Sequence, residues 1–122
     1  MGETGLKPIH WCASSHKDLL GFPKGVRQDA GYQLHLVQTG QDPLECSPLP
    51  HLGRGVMEIR VDEDTDTYRV IYIAKLEEAV YVLHCFQKKS KKGKKIPKPD
   101  ENVIKLRYKD VIRTRPALPA EH

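Results

Sequence analysis

No uninterrupted apolar run in the sequence exceeds a few residues, so it offers no candidate transmembrane helix. No apolar stretch follows a basic start either, which leaves a secretory signal without a candidate and sets the expectation of a cytoplasmic protein. Cysteine is scarce: Cys12, Cys46 and Cys85 are odd in number, widely spaced and form no CxxC pair. That argues against a disulfide framework or a zinc knuckle and fits a reducing compartment. His10, His16 and His35 lack metal-ligand spacing, and no motif points to a nucleotide, so neither metal nor cofactor is expected. A glycine-rich phosphate loop is also missing, since the segment from Lys89 to Lys95 holds one glycine and no helix start in the right place. There is no internal repeat. What is present, 122 residues of which 39% are hydrophobic and 30% charged, supports one modest core. The expectation is a single domain over 1–122, with an ordered core at about 9–113 and a tail over 114–122.

The net charge of +4 is unevenly placed. Lys88, Lys89, Lys91, Lys92, Lys94, Lys95 and Lys98 fall within KKSKKGKKIPK, and subtracting these seven from +4 leaves the rest of the chain at −3. One dense basic patch on a mildly acidic body is what a polyanion selects, although a lysine run can also be a solvated loop.

Ile9 to Ala13 reads as a short buried strand. Ser14-Ser15 with Asp18 resembles a capping box that opens a short helix through Leu19-Leu20, stopped at Gly21. Pro23 then restarts a helix over Lys24 to Thr39, where Val26, Ala30, Leu34 and Val37 form one apolar stripe. Gly25 and Gly31 inside it each cost about 1 kcal/mol relative to alanine. Residues 41–55, with Pro43, Pro48, Pro50, Gly53 and Gly55, read as loop. Three strands follow, Val56–Asp62, Tyr68–Ala74 and Val80–Phe86, with connections short enough to force antiparallel hairpins. A last helix is expected from Pro99-Asp100-Glu101 to about Arg113, with Ile104, Tyr108 and Val111 on its buried face.

Hairpin symmetry predicts a register. A first turn centred between Asp64 and Thr65 sets Val61 opposite Tyr68, Ile59 opposite Val70, Met57 opposite Tyr72 and Arg60 opposite Arg69. A second turn centred between Glu77 and Glu78 sets Leu83 opposite Tyr72, Cys85 opposite Val70, His84 opposite Ile71 and Phe86 opposite Arg69. One face is then apolar and packs on the helices, while the other gathers Arg60, Arg69, His84 and Lys88. Like charges directly across a strand pair cost up to about 1 kcal/mol. The pair is explained either by neutralisation through Glu58, Asp62 or Asp66, or by an anion site in which two guanidinium forks grip a phosphate.

Three segments, in order, resemble a known family: G-x-G-V-x-E-I-R (Gly53 to Arg60), T-Y-R-V-I-Y (Thr67 to Tyr72) and Y-V-L-H-C-F-Q-K-K-S-K-K-G (Tyr81 to Gly93). Together with Asp18-Leu19-Leu20-Gly21-Phe22-Pro23 they are similar to the RelE/HigB-type toxin superfamily, in its phage-derived-protein branch. The resemblance spans about residues 9–113 and implies an α+β fold, with two N-terminal helices packed on an antiparallel sheet of about four strands, plus a C-terminal helix. It implies the toxin of a type II toxin–antitoxin system, a metal-independent endoribonuclease that cuts mRNA, usually on the ribosome. The partners implied are mRNA, the ribosome and a cognate helix-turn-helix antitoxin. Arg60 and Arg69 match the family's strand arginines, and Phe86, Lys88 and Lys89 match its F-x-K-K motif. The chain departs from the branch before the E-I-R strand, where a K-P-L-K pattern is replaced by Ser47-Pro48-Leu49-Pro50 and His51 is left to supply a cation when protonated.

Metal-free RNA cleavage uses the substrate's 2′-hydroxyl as nucleophile, and arginine suits the charge of the phosphorane-like state. The expected catalytic set is Arg60, Arg69, His84 and Lys88, with RNA bound by Lys89, Lys91, Lys92, Lys94, Lys95 and His51. His84 is the candidate for proton transfer, with Lys88, Lys89 or Tyr108 as alternatives. Two rival readings stand beside the toxin: a catalytically inactive RNA- or ribosome-binding protein of the same fold, and a protein-interaction module docking an acidic segment on the lysine loop.

Overall fold

The computed structural model describes residues 6–88 and 95–116. In chain order the elements are β1 (Ile9–Trp11), α1 (Ser15–Leu20), α2 (Lys24–Gln38), β2 (Cys46–Pro48), a 3-10 turn (Pro50–Leu52), β3 (Val56–Glu63), β4 (Asp66–Ile73), β5 (Val80–Lys88) and α3 (Lys98–Thr114). One five-stranded sheet runs β1-β5-β4-β3-β2, antiparallel except for β1 beside β5. The fold class is α+β, as expected, but the sheet is mixed and has five strands rather than four. The extra strand is β2, in the stretch read as loop. Pro48 is tolerated there because β2 is an edge, where a missing N–H leaves no inner ladder unpaired.

The apolar stripe of α2 is buried as the periodicity predicts: Val26, Ala30, Leu34 and Val37 are at most 4% exposed. With Leu19 of α1 they cover Ile59, Val61, Tyr68, Val70, Tyr72, Val80, Val82 and Cys85 on one side of the sheet. This packing outweighs the intrinsic cost of Gly25 and Gly31, and α2 is unbroken. At the start of α1 the expected capping box is not formed. The Ser14 hydroxyl donates to Asp18 Oδ2 (2.9 Å) and Ser15 Oγ donates to the Val82 carbonyl (3.1 Å), so these hydroxyls tie side chains and strand together.

A second core lies on the opposite side, where α3 and the 3-10 turn cover Ile71, Ile73, Tyr81, Leu83 and Phe86 through Ile104, Val111 and Leu52. Tyr108 packs at its margin, and its hydroxyl donates to the Arg54 carbonyl at 3.2 Å. Gly53 is required at that contact. Its φ is +151°, and a Cβ there would lie 2.7 Å from the Tyr108 ring. The face expected to be open and charged is thus half covered by a helix.

The β3–β4 register is as predicted, including Arg60 opposite Arg69, with Asp64 taking φ 56° in the turn. The β4–β5 register holds from Thr67 to Ile71 and then shifts by one, so Tyr72 faces Val82 and not Leu83. The cause is a β-bulge. Leu83 and His84, consecutive in sequence, both turn toward α3: Leu83 joins the α3-side core and His84 reaches Asp100. The Leu83 carbonyl at the bulge accepts from Arg107 Nη1 (2.8 Å). Beyond α3, in what the sequence reads as tail, Arg115 forks onto Glu78 in the β4–β5 connection with bonds of 2.8 and 2.7 Å. These bonds hold the Glu78 carboxyl down at about 2.

Burial pushes the Cys12 thiol up to about 11 and the Cys85 thiol up to about 12, which keeps both as inert core groups. No helix among the described residues is long and apolar enough to cross a membrane.

Candidate functional site

Strand alternation builds the polar part of the sheet. Along β3 the residues Glu58, Arg60 and Asp62 recur every second position, so all three project to the side opposite α2. The register places Arg69 of β4 beside Arg60, and Phe86 of β5 beside Arg69; in the next row outward lie Asp62, Thr67 and Lys88. On the other side of Glu58 sits Ser47 of the edge strand β2.

The cross-strand arginine pair exists, and each member has a carboxylate. Arg69 is 1% exposed, and its Nη1 donates to Glu58 Oε2 at 2.7 Å; Glu58 is 7% exposed. Arg60 is half-buried, with Nε 3.7 Å from Asp62 Oδ1. Two of the three acidic residues named from the sequence as neutralisers therefore occupy that position. The expectation of two open guanidinium forks is corrected accordingly: Arg69 is a fixed positive charge inside the protein, and Arg60 is the fork that meets solvent.

A hollow of about 220 Å³ opens beside the pair, lined by Glu45, Ser47, Leu49, Glu58 and Arg60. Glu58 Oε2 is the oxygen engaged by Arg69, and that bond leaves Oε1 to the rest of the lining. Glu45 and Ser47 are exposed at the rim. Sequence reasoning weighed Glu58 only as a neutraliser. The signal that singles it out is the Glu-x-Arg alternation, which puts a carboxylate and a guanidinium on one face two residues apart.

The other expected site residues are dispersed. His84 is 8% exposed and stacks on Phe86 with ring centres 5.2 Å apart. Its Nε2 is 2.8 Å from Asp100 Oδ1, and its Nδ1 is 3.4 Å from Arg107 Nη1. Since Arg107 can only donate, Nδ1 is the acceptor and Nε2 carries the proton toward Asp100. His84 fastens the bulge to α3 and does not line the hollow. His51 is exposed and lies 3.5 Å from Glu101 Oε2 in the first turn of α3; Lys98 Nζ is 3.7 Å from the other oxygen. Lys88 donates to the Lys95 carbonyl at 2.9 Å. Lys89, Lys91, Lys92 and Lys94 lie outside the described residues. Tyr108, the remaining proton-transfer candidate, belongs to the α3 packing.

The family model described as "Phage derived protein Gp49-like (DUF891)" matches residues 17–109, which contain α2, β2 to β5 and most of α3. The chain belongs to the Gp49-like family. This is a toxin family of the RelE/Gp49 type, in agreement with the branch that the three segments resemble. No curated protein matches the chain. In this Gp49-like domain the paired strand arginines and the hollow lie within the matched residues.

Proposed function

We propose that the protein is the toxin of a toxin–antitoxin system and acts as an mRNA endoribonuclease that inhibits translation, on the ribosome and in the cytoplasm. Membership of the Gp49-like family supports the toxin reading. The observation that carries the chemistry is the half-buried Arg60 at a hollow it lines together with Glu58, a carboxylate held by a buried arginine. A phosphodiester at this hollow meets a bidentate cation that stays charged, which is what the phosphorane-like state of 2′-hydroxyl attack requires. The lysine run beginning at Lys88 supplies the cations that track an RNA backbone. A helix-turn-helix antitoxin is the partner that would hold the toxin inactive.

The test is induced expression in a bacterial host with mapping of mRNA 5′ ends, using Arg60→Ala as control. Arg69→Ala is unsuitable because it strands Glu58 in the interior. New cuts in translated messages, absent with Arg60→Ala, are the expected result. Folded protein that makes no cuts but still binds ribosomes or RNA would favour the inactive-binder reading, to which the lack of the branch's lysines at Ser47-Pro48-Leu49-Pro50 also points.

A further inference from the structure

Resting on the ribonuclease reading above, we infer that Glu58 is the proton acceptor of this site: its Oε1 takes the 2′-hydroxyl proton from the nucleotide whose phosphate lies against Arg60. Metal-free cleavage needs a base beside the phosphate clamp; His84, Tyr108 and Lys88 do not line the hollow, and Lys89 lies outside the described residues. Two carboxylates line it, Glu45 exposed at the rim and Glu58 on the strand face of Arg60. Three observations fit Glu58 to the role. Its side chain shares the wall with Arg60, two residues along the same strand face. The bond from Arg69 Nη1 to Oε2 fixes the rotamer without engaging Oε1. Arg69 also compensates the carboxylate charge, so an anionic substrate can approach it.

The step balances without a co-reactant. The 2′-oxygen loses its proton to Glu58 Oε1 and bonds to phosphorus, while the phosphorus–5′-oxygen bond breaks. The 5′-oxygen leaves with a proton from solvent, and Glu58 releases its own to solvent. The products are a 2′,3′-cyclic phosphate and a 5′-hydroxyl end. Among the described residues the charged groups around Glu58 are Arg69 from β4, Arg60 from its own strand and Glu45 at the rim ahead of β2.

The experiment is single-turnover cleavage of a defined mRNA on programmed ribosomes, as a function of pH, by wild type, Glu58→Gln and Glu58→Asp. Binding of a 2′-O-methyl RNA of the same sequence is measured alongside. Glu58→Gln keeps an oxygen for Arg69 but cannot accept the proton, so the rate should fall about 10²–10⁴-fold. Its pH profile should lose the acidic limb, while RNA binding is kept. Glu58→Asp should be slower than wild type and keep the limb. A Glu58→Gln rate within tenfold of wild type with the limb intact overturns the inference. Parallel loss of binding and rate also overturns it, because Glu58 would then only position Arg69. Absence of cleavage by folded wild type removes the ribonuclease reading itself, and the inference with it.

Discussion

On the side of the sheet beneath α1 and α2, β3 and β4 present Met57, Ile59, Val61, Tyr68, Val70 and Tyr72, an apolar set without a charge. On the other side the same two strands present Glu58, Arg60, Asp62 and Arg69, and only farther along do Ile71 and Ile73 resume an apolar surface under α3. The first face gains stability from removing carbon from water and tolerates some repacking. The second buries an arginine against a carboxylate, an arrangement in which removing one partner costs several kcal/mol. A face that carries function holds its charges in place by pairing them, and it becomes brittle to single changes there.

The largest test of this contrast is Arg69→Ala, which should lower unfolding free energy in urea by about 3–5 kcal/mol by orphaning Glu58. Replacing Glu58 and Arg69 together by leucine and methionine should recover most of that loss while abolishing any site activity. Little recovery would mean that the pair is more than self-compensating. On the apolar face, Leu34→Ala should cost about 3 kcal/mol by leaving a cavity between α2 and the sheet. Gly53→Ala should cost about 2 kcal/mol, since its Cβ would meet the Tyr108 ring at 2.7 Å in a backbone region that L residues avoid. Tyr108→Phe, which removes only the 3.2 Å bond to Arg54, should cost about 1 kcal/mol or less.

The subtlest test depends on pH. Glu78 is held at about 2, below its ordinary 4.5, chiefly by the hydrogen bonds from Arg115. A carboxylate depressed in the folded state adds stability that is fully present above its unfolded value and lost as pH falls through the folded one. Arg115→Ala should therefore lower the urea midpoint at neutral pH, and the difference from wild type should shrink between pH 4.5 and about 2. A difference that does not change with pH would assign Arg115 a packing role instead.

Local pattern made much of this molecule legible. The α2 stripe, the α3 face of Ile104 and Val111, and the whole β3–β4 register follow from periodicities of 3.6 and 2 acting on adjacent segments. What escaped is of another kind. The parallel partner of β1 is β5, distant in sequence, and β2 is a strand because β3 offers it an edge rather than because Cys46-Ser47-Pro48 favours extension. The bulge at Leu83 and His84 is settled by α3, whose Asp100 and Arg107 receive the His84 ring and the Leu83 carbonyl. In the candidate site the sequence showed the Arg60–Arg69 pairing and named Glu58 and Asp62 as partners, but not which arginine would meet solvent.

By itself, then, the sequence determined the class of fold, the charged strip along β3 and β4 and the family, because each is carried by residues near one another in the chain or by alternation along a strand. The tertiary structure alone decided that Arg69 lies inside while Arg60 meets solvent, that His84 serves the junction with α3, and that Glu58 is held by Arg69 at the lining of a hollow. The physical reason is that alternation assigns a side chain to a face, whereas burial and hydrogen-bond partners depend on what other segments lay across that face.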